Sequence, residues 1–289
     1  MDTVTAGCKI NLGLRITGIR DNGYHEINSL FWPLPEPHDT LELDLASAPG
    51  IYVQCEAYEV CPTHNTLTKA YEALAQRVPH LPGVNIILHK GIPSGSGLGG
   101  GSSDAAALLQ WLNARISQPL DAQELARIAM KVGADIPFFL QPFPCCVRGI
   151  GEIMEPVVNT EFSGMHLVLV CPSQHSSTPQ AYADYDATIA STTVGQNSLT
   201  KSASKANGFS PVTAAPIPDL HNDLEAVVFS RYPQLAELKA TLLRFGAKVA
   251  MSGSGSAIFA LFMPKDGVKA CNASSILRKK NYRVYTHVL

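Results

Sequence analysis

Long apolar runs are absent from this chain, and so are the spacings of cysteine and histidine that mark metal sites. No stretch approaches the ~20 apolar residues of a membrane helix, and residues 1–4 do not open a signal peptide. The seven cysteines are odd in number and include no C-x-x-C pair, which favours free thiols. The nine histidines show neither H-x-x-x-H nor H-E-x-x-H spacing, so no zinc site is expected. These absences predict a soluble cytoplasmic protein.

An excess of charge of either sign is missing as well. The formal net charge is −2, with acids and bases mixed along the chain, so we expect no binding to nucleic acid or to an anionic membrane. The chain is 46% hydrophobic and 16% charged, which is typical of a folded globular protein. Its 289 residues are enough for two compact domains.

The N-terminal half predicts a mixture of strands and helices. Alternating Ile10, Leu12 and Leu14 predict a half-buried strand, with Lys9 and Asn11 together on the opposite face. The sequence Asp-Asn-Gly at 21–23 predicts a turn, and alternation at 41–45 and 84–88 predicts two more strands.

Two helices are expected after these strands. The run AAALLQWLN at 105–113 predicts the first, directly after a glycine-rich loop. The second should begin at Asp121, a good N-cap with Glu124 three residues on, and end at Gly133. Pro137 should then push the chain out of helix.

Composition changes after Pro156, where we predict the boundary between domains at 1–156 and 157–289. Beyond it, strands are expected at 167–170, 248–251, 257–262 and 282–288, and helices at 235–245 and near 268–278. This β-α-β-β-α-β order is that of a ferredoxin-like (split βαβ) domain, which makes the whole chain an α+β protein of two domains. Residues 188–216 lack an apolar period and predict a long loop or insertion.

The glycine-rich loop at 92–104 is the strongest functional signal. Six glycines between Gly91 and Gly101 precede a helix, where backbone N–H groups and the helix dipole suit phosphate oxygens. A Walker A loop is excluded because no lysine follows the glycines. A dinucleotide fold is disfavoured because Asp121, the acid about 20 residues on, caps a helix. A flexible surface loop stays as the structural alternative.

Three segments resemble the motifs of the galactokinase, homoserine kinase, mevalonate kinase and phosphomevalonate kinase (GHMP) superfamily. They are KINL at 9–12, PSGSGLGGGSSDAA at 93–106 and MSGSGSAIF at 251–259, in the expected order. Within the superfamily, KINL followed by DNGYH at 21–25, the loop form GLGGGSSD, and GADIPF at 133–138 resemble the 4-diphosphocytidyl-2-C-methyl-D-erythritol kinases. The resemblance implies two domains of GHMP type, N-terminal and ATP-binding followed by C-terminal, with substrate between them.

The resemblance also implies roles for individual residues. Asp135 matches the catalytic acid or base, and Lys9 lies beside it in that family. The expected ATP-binding residues are those of the loop: Pro93, Ser94, Gly95, Ser96, Gly97, Leu98, Gly99, Gly100, Gly101, Ser102 and Ser103. The expected substrate-binding residues are Asn11, Tyr24, His25, Phe31, Thr178 and Tyr182.

Several alternatives stay open on the residues alone. Lys9 is a γ-phosphate ligand or a solvated strand lysine, and Asp135 is a base, an orienting group or a turn residue. Tyr24 and Phe31 are the two faces of a base sandwich, with His25 at the base edge, or ordinary core aromatics. We expect Mg²⁺ to arrive with ATP; Ser102 and Ser103 are candidate contacts to it, but no acidic cluster marks a metal site, so no protein ligand is assigned. We expect a monomer or weak homodimer.

The expected function is ATP-dependent phosphorylation of the 2-hydroxyl of 4-diphosphocytidyl-2-C-methyl-D-erythritol, in the non-mevalonate isoprenoid pathway. Another small-molecule kinase of the superfamily, of the homoserine or mevalonate class, is the alternative. A non-catalytic nucleotide-binding regulator on the same scaffold is the other, which the presence of both Lys9 and Asp135 disfavours.

Overall fold

The computed structural model describes residues 1–57, 61–141, 143–158, 161–195 and 220–289. Two sheets with their helices make up this part of the chain. Among the described helices, none combines the length and the apolar character needed to cross a membrane.

The first sheet is mixed and has six strands in the order β3-β4-β2-β5-β6, with β1 paired along β2. The strands are β1 (Asp2–Ile19), β2 (His25–Ala46), β3 (Ile51–Cys55), β4 (Gly83–His89), β5 (Cys145–Gly149) and β6 (Ile153–Pro156). All pairs are antiparallel except β3 with β4. The predicted turn at 21–23 joins β1 to β2, and Gly23 has the positive φ of +83° that such turns favour.

Four helices pack on one face of this sheet. They are α1 (Thr66–Ala75), α2 (Gly100–Asn113), α3 (Ala122–Val132) and α4 (Ile136–Phe139). The predicted N-cap of α3 is confirmed, since the Asp121 carboxylate accepts from the Glu124 N–H at 2.8 Å. The expectation at Pro137 was wrong: helix α4 includes it in its first turn, where proline's missing N–H leaves no bond unmade.

The second sheet is antiparallel, with strands in the order β10-β7-β9-β8. Its strands are β7 (His166–Cys171), β8 (Lys248–Met251), β9 (Ile258–Phe262) and β10 (Arg283–Val288). Its helices are α5 (Thr178–Gly195), α6 (Glu225–Arg231), α7 (Pro233–Leu243) and α8 (Gly267–Lys279). The predicted ferredoxin-like order is confirmed.

The predicted loop at 188–216 was wrong in its first eight residues. Helix α5 starts at Thr178, with Pro179 in its first turn, and continues to Gly195. The helix has no apolar stripe, because most of its residues at 178–190 are exposed or only half-buried. The remainder of the predicted loop, 196–216, lies outside the described residues.

Strand β1 is buried on both faces, contrary to the half-buried strand that its alternation predicts. Ile10 and Leu12 are fully buried in a cluster with residues of the second sheet, such as Leu169 and Phe259. Lys9 and Asn11 share the opposite face as predicted, and they are 3% and 1% exposed. The two halves therefore share one core along β1, and the boundary at Pro156 stays a prediction.

Candidate active site

The glycine-rich loop joins β4 to α2 and is held in left-handed backbone conformations. Gly95, Gly97 and Gly99 have φ values of +61°, +75° and +77°. A Cβ on Gly97 would lie 2.0 Å from the carbonyl oxygen of Ser252, so only glycine fits there. Gly99 is the N-cap of α2 and has no side chain to cap it, which leaves the first N–H groups of α2 available to an anion.

The third sequence motif packs directly against this loop. Ser256 N–H donates to the Gly95 carbonyl at 3.1 Å, and Ala257 N–H donates to the Ser96 carbonyl at 3.0 Å. The Ser252 hydroxyl donates to the Gly97 carbonyl at 3.1 Å. The loop carbonyls are thus bonded on the side of the second sheet.

A cavity of about 510 Å³ lies beside the loop, and most of the predicted site residues line it. The predicted residues on its wall are Lys9, Asn11, Phe31, residues 93–102, Asp135, Thr178 and Tyr182. Ser103, Tyr24 and His25 are not on the wall. Ser103 is buried in the first turn of α2, and Tyr24 is 59% exposed.

Lys9 extends from β1 into this cavity as a buried cation with polar partners. Its Nζ donates to Asn11 Oδ1 at 2.5 Å and lies 3.5 Å from Asp135 Oδ2. Nζ also lies 4.5 Å from the centre of the Phe31 ring. A solvated strand lysine would be exposed, so that alternative does not fit.

Asn11 is fixed in turn by two serines. Its Nδ2 donates to Ser29 Oγ at 2.9 Å, and its backbone N–H donates to Ser252 Oγ at 3.2 Å. The Ser29 hydroxyl donates to the Gly13 carbonyl at 2.6 Å. This chain of bonds turns the Asn11 amide so that its oxygen faces Lys9.

Asp135 precedes helix α4 but does not cap it. Its side chain makes no capping bond, and it is 34% exposed at the cavity wall beside Lys9. A carboxylate that makes no capping bond and lies at a cavity wall is available to a substrate hydroxyl.

A buried charged cluster beneath the loop was not predicted. Lys90 Nζ contacts the Asp39 carboxylate and lies 3.0 Å from Asp104 Oδ2, with both aspartates almost fully buried. Asp39 Oδ1 accepts from the N–H groups of Gly91 and Ile92 at 2.7 and 2.8 Å. Asp104 Oδ1 has no partner among the described residues, and burial raises the pKa of Asp104 to about 7.

One further part of the cavity wall was not predicted from the sequence. The start of α1 lines the cavity through Thr66, together with His64 and Asn65, which precede the helix. Asn65 and Thr68 form a capping box at the start of α1, in which each side chain accepts a hydrogen bond from the other residue's N–H. The N-x-x-T spacing in the sequence could have predicted this helix start. For Lys90 of the charged cluster, the sequence offered a weaker signal: a lysine directly before the first glycine of the loop, Gly91.

The predicted base-binding residues are only partly together. His25 contacts Tyr182 of α5, with ring centres 4.6 Å apart. Phe31 is 2% exposed, packs edge-on against Phe138, and lies six residues from His25, about 20 Å along a strand. The expected sandwich of Tyr24 and Phe31 is therefore not formed, and Tyr182 is the aromatic neighbour of His25.

Thr178 connects the start of α5 to the third motif. Its hydroxyl lies 2.7 Å from the hydroxyl of Ser254, and the Ser176 hydroxyl donates to the Ser254 carbonyl at 2.6 Å. Across the described ranges, no group of three or more His, Cys, Asp or Glu residues has the arrangement of a metal site.

Comparisons with known proteins agree on one family. The family model "GHMP kinases N terminal domain" matches residues 65–141, and "GHMP kinases C terminal" matches residues 214–283. A 4-diphosphocytidyl-2-C-methyl-D-erythritol kinase of Nitratidesulfovibrio vulgaris is 44% identical over 99% of this chain and 98% of that protein. The kinase of that name from Lawsonia intracellularis is 41% identical over 99% of this chain and 96% of that protein.

Solved structures agree with these sequence matches. A crystal structure of 4-(cytidine 5'-diphospho)-2C-methyl-D-erythritol kinase has a TM-score of 0.72 and 30% identity, and covers 99% of this chain and 98% of that one. Homoserine kinase from Cytophaga hutchinsonii has a TM-score of 0.65 and covers 99% of this chain and 94% of that one. At 16% identity, this match shows a common fold alone. The loop, the buried lysine and the full-length matches together show that this chain belongs to the 4-diphosphocytidyl-2-C-methyl-D-erythritol kinase family of ATP-dependent GHMP kinases.

Proposed function

We propose that this chain transfers the γ-phosphoryl group of ATP to the 2-hydroxyl of 4-diphosphocytidyl-2-C-methyl-D-erythritol. The observation that carries the proposal is the pair of Lys9 and Asp135, 3.5 Å apart on the wall of the cavity beside the glycine-rich loop. The full-length similarity to kinases named for this substrate supports the choice of acceptor. The product would carry an additional phosphomonoester, and ADP would leave.

The transfer forms one oxygen–phosphorus bond and breaks another. The substrate hydroxyl attacks the γ-phosphorus, the bond to the β–γ bridging oxygen breaks, and the hydroxyl proton leaves to a base. Asp135 is our candidate for the group that orients the hydroxyl and accepts this proton. Lys9 places a positive charge beside it, where negative charge accumulates on the transferring group.

The ATP phosphates are assigned to the loop and the first turn of α2. Residues 95–102 line the cavity, and Gly97, Gly99 and Gly100 have no side chain to hold a phosphate away from the peptide N–H groups. The hydroxyl of Ser102 is the polar side chain of the α2 first turn that lines the cavity. Mg²⁺ bound to the phosphates would neutralise part of their charge, and Ser102 is a residue positioned to contact it.

The cytidine end of the substrate is assigned to the region where α5 meets the start of β2. Tyr182 lines the cavity, and its ring packs on His25, which lies behind the cavity wall. Tyr24 is 59% exposed next to His25, which leaves an aromatic face free to stack on a base. Thr178, Asn11 and Phe31 line the same cavity as Tyr182 and Lys9.

A substrate panel tests the proposal. ADP release is measured with Mg-ATP and, in separate reactions, the cytidyl substrate, methylerythritol phosphate without the cytidyl group, homoserine and mevalonate. We expect turnover with the cytidyl substrate alone. Turnover with homoserine or mevalonate would keep the kinase chemistry and reject the cytidine assignment, whereas ATP binding without any turnover would favour a regulator.

A further inference from the structure

His25 makes a close polar contact that the similarity did not predict. Its Nε2 lies 2.7 Å from Oδ1 of Asp186. Asp186 is on α5, about two turns after Thr178 at the start of that helix. The His25 side chain is 9% exposed and that of Asp186 is 45% exposed. A buried imidazole is thus anchored at one nitrogen by a carboxylate at the edge of solvent.

The carboxylate determines which ring nitrogen carries the proton. An ionised carboxylate only accepts hydrogen bonds, so the His25 nitrogen that faces it must be the donor. In a neutral imidazole one nitrogen donates and the other accepts. With the proton on Nε2, the other nitrogen, Nδ1, has a free lone pair.

The ring is also held in one orientation, and Nδ1 stays available. The Tyr182 ring lies over it at 4.6 Å and 35°, and the Tyr185 ring meets it edge-on at 6.4 Å and 78°. Within the part of the chain that the structure describes, Nδ1 has no hydrogen-bond partner. It is also not among the buried polar atoms without a partner, so it reaches solvent.

We propose that Asp186 is a positioning residue that fixes the Nε2–H form of His25 and so makes Nδ1 an acceptor for the exocyclic amine of the substrate base. Cytosine has an amine at this edge, whereas uracil has a carbonyl oxygen that would face the Nδ1 lone pair. Asp186 therefore sets the preference for cytosine over uracil. This inference rests on the proposed function, because it concerns the same base site.

The first test reads the protonated nitrogen directly and needs no substrate. Nitrogen NMR of the ligand-free protein at pH 8, with the His25 signals assigned by comparison with the His25→Gln variant, distinguishes the two neutral forms of the ring. We expect the proton on Nε2. A proton on Nδ1 would overturn the proposal, whatever the enzyme phosphorylates.

The second test measures base preference. CDP and UDP are compared as inhibitors against the cytidyl substrate, at saturating Mg-ATP so that neither acts at the nucleotide site. We expect CDP to inhibit at least about tenfold more strongly than UDP in the wild type, since a mismatched polar pair in a buried site weakens binding by about this much. In Asp186→Ala we expect the two inhibition constants to agree within about threefold, because both forms of the ring are then populated.

Asp184→Ala is the matched control. Asp184 is on the same helix and pairs with Arg231 at 2.7 Å, away from His25, so its loss should leave the CDP preference unchanged. The inference is overturned if Asp186→Ala retains the full preference, or if the wild type has none. Loss of the proposed function appears separately, as absence of turnover with the cytidyl substrate in the wild type.

Discussion

The carboxylate of Asp135 stands at a helix start, a position where aspartate usually caps, yet it makes no capping bond. It lies instead 3.5 Å from Lys9 Nζ, at the wall of the cavity. An aspartate with a purely structural role at this position would accept a hydrogen bond from the helix backbone. The uncapped carboxylate of Asp135, paired with Lys9 at the cavity, fits a role with substrate instead.

Asp135→Asn should therefore affect turnover far more than ATP binding. Asparagine keeps the size of the side chain but is a poor proton acceptor, so we expect kcat to fall by about 10²–10⁴-fold. The ATP dissociation constant should stay within about twofold of the wild-type value. Steady-state kinetics and calorimetric ATP binding measure the two effects. The matched control is Asp44→Asn at an exposed carboxyl, and an unchanged kcat in Asp135→Asn would remove that residue from its role.

His25→Ala should affect the two substrates differently. Its ring contacts Tyr182, near which we propose that cytidine binds, and His25 itself is not on the cavity wall beside the loop. We expect the KM of the cytidyl substrate to rise by about tenfold or more, while the KM of ATP changes little. His89→Ala, at an exposed imidazole paired with Glu42, is the control. Equal increases in both KM values would contradict the assignment of His25.

Asp104 gives the protein a predictable pH dependence of stability. Burial raises its pKa from an ordinary value of 3.8 to about 7, against the opposing effect of Lys90. The folded state thus binds the proton more tightly than the unfolded chain, and stability from this group is full below about pH 4 and is lost as pH rises to about 7. Lys90 has a raised pKa, so its own contribution persists across this range.

Asp104→Asn should remove that dependence. Asparagine has no charge to bury. The free energy of unfolding of the Asp104→Asn protein, measured relative to wild type, should therefore increase by about 2 kcal/mol between pH 5 and pH 7.5. Chemical denaturation at both pH values measures the difference. The exposed Asp44→Asn change serves as the control for loss of a carboxyl. A constant difference between the Asp104→Asn variant and wild type would show that the carboxyl does not titrate in this range.

At the scale of elements, the sequence predicted the pieces that have strong local signals. The cap at Asp121, the turn at 21–23 and the four strands of the second sheet follow from local chemistry, and all are confirmed. Helix α5 was missed in part because its residues carry no apolar stripe. Burial of both faces of β1 was missed because it depends on the second sheet, whose position the local pattern does not contain.

The glycine-rich loop provides the test at this scale. Gly97→Ala would place a Cβ 2.0 Å from the Ser252 carbonyl oxygen at a φ of +75°, so the loop must move. We expect ATP affinity to fall by more than about tenfold and stability to fall by about 2 kcal/mol or more. Gly246→Ala is the matched control, since its φ is +78° but nothing lies within 4 Å of an added Cβ. Gly246→Ala should lower stability by only about 1 kcal/mol and leave ATP binding intact. Similar ATP affinities in the two variants would contradict the assigned role of the loop.

At the scale of the whole molecule, the candidate site joins parts that are far apart in the sequence. The loop between β4 and α2, Lys9 on β1, Asp135 before α4 and Ser254 after β8 meet at one cavity. Motif resemblance predicted most of these residues. The cluster of Asp39, Lys90 and Asp104 was missed because its members are separate in the chain, and only the packed fold shows that they share one buried position.

The central claim is that the enzyme transfers the γ-phosphoryl group of ATP to the 2-hydroxyl of the cytidyl substrate in this cavity. The most direct measurement is phosphorus and carbon NMR of the product formed from Mg-ATP and 4-diphosphocytidyl-2-C-methyl-D-erythritol. The account predicts one new phosphomonoester signal coupled to the methylerythritol carbon that bears the 2-oxygen, with ADP in equal amount. A phosphate on another oxygen, or inorganic phosphate with unchanged substrate, would contradict it.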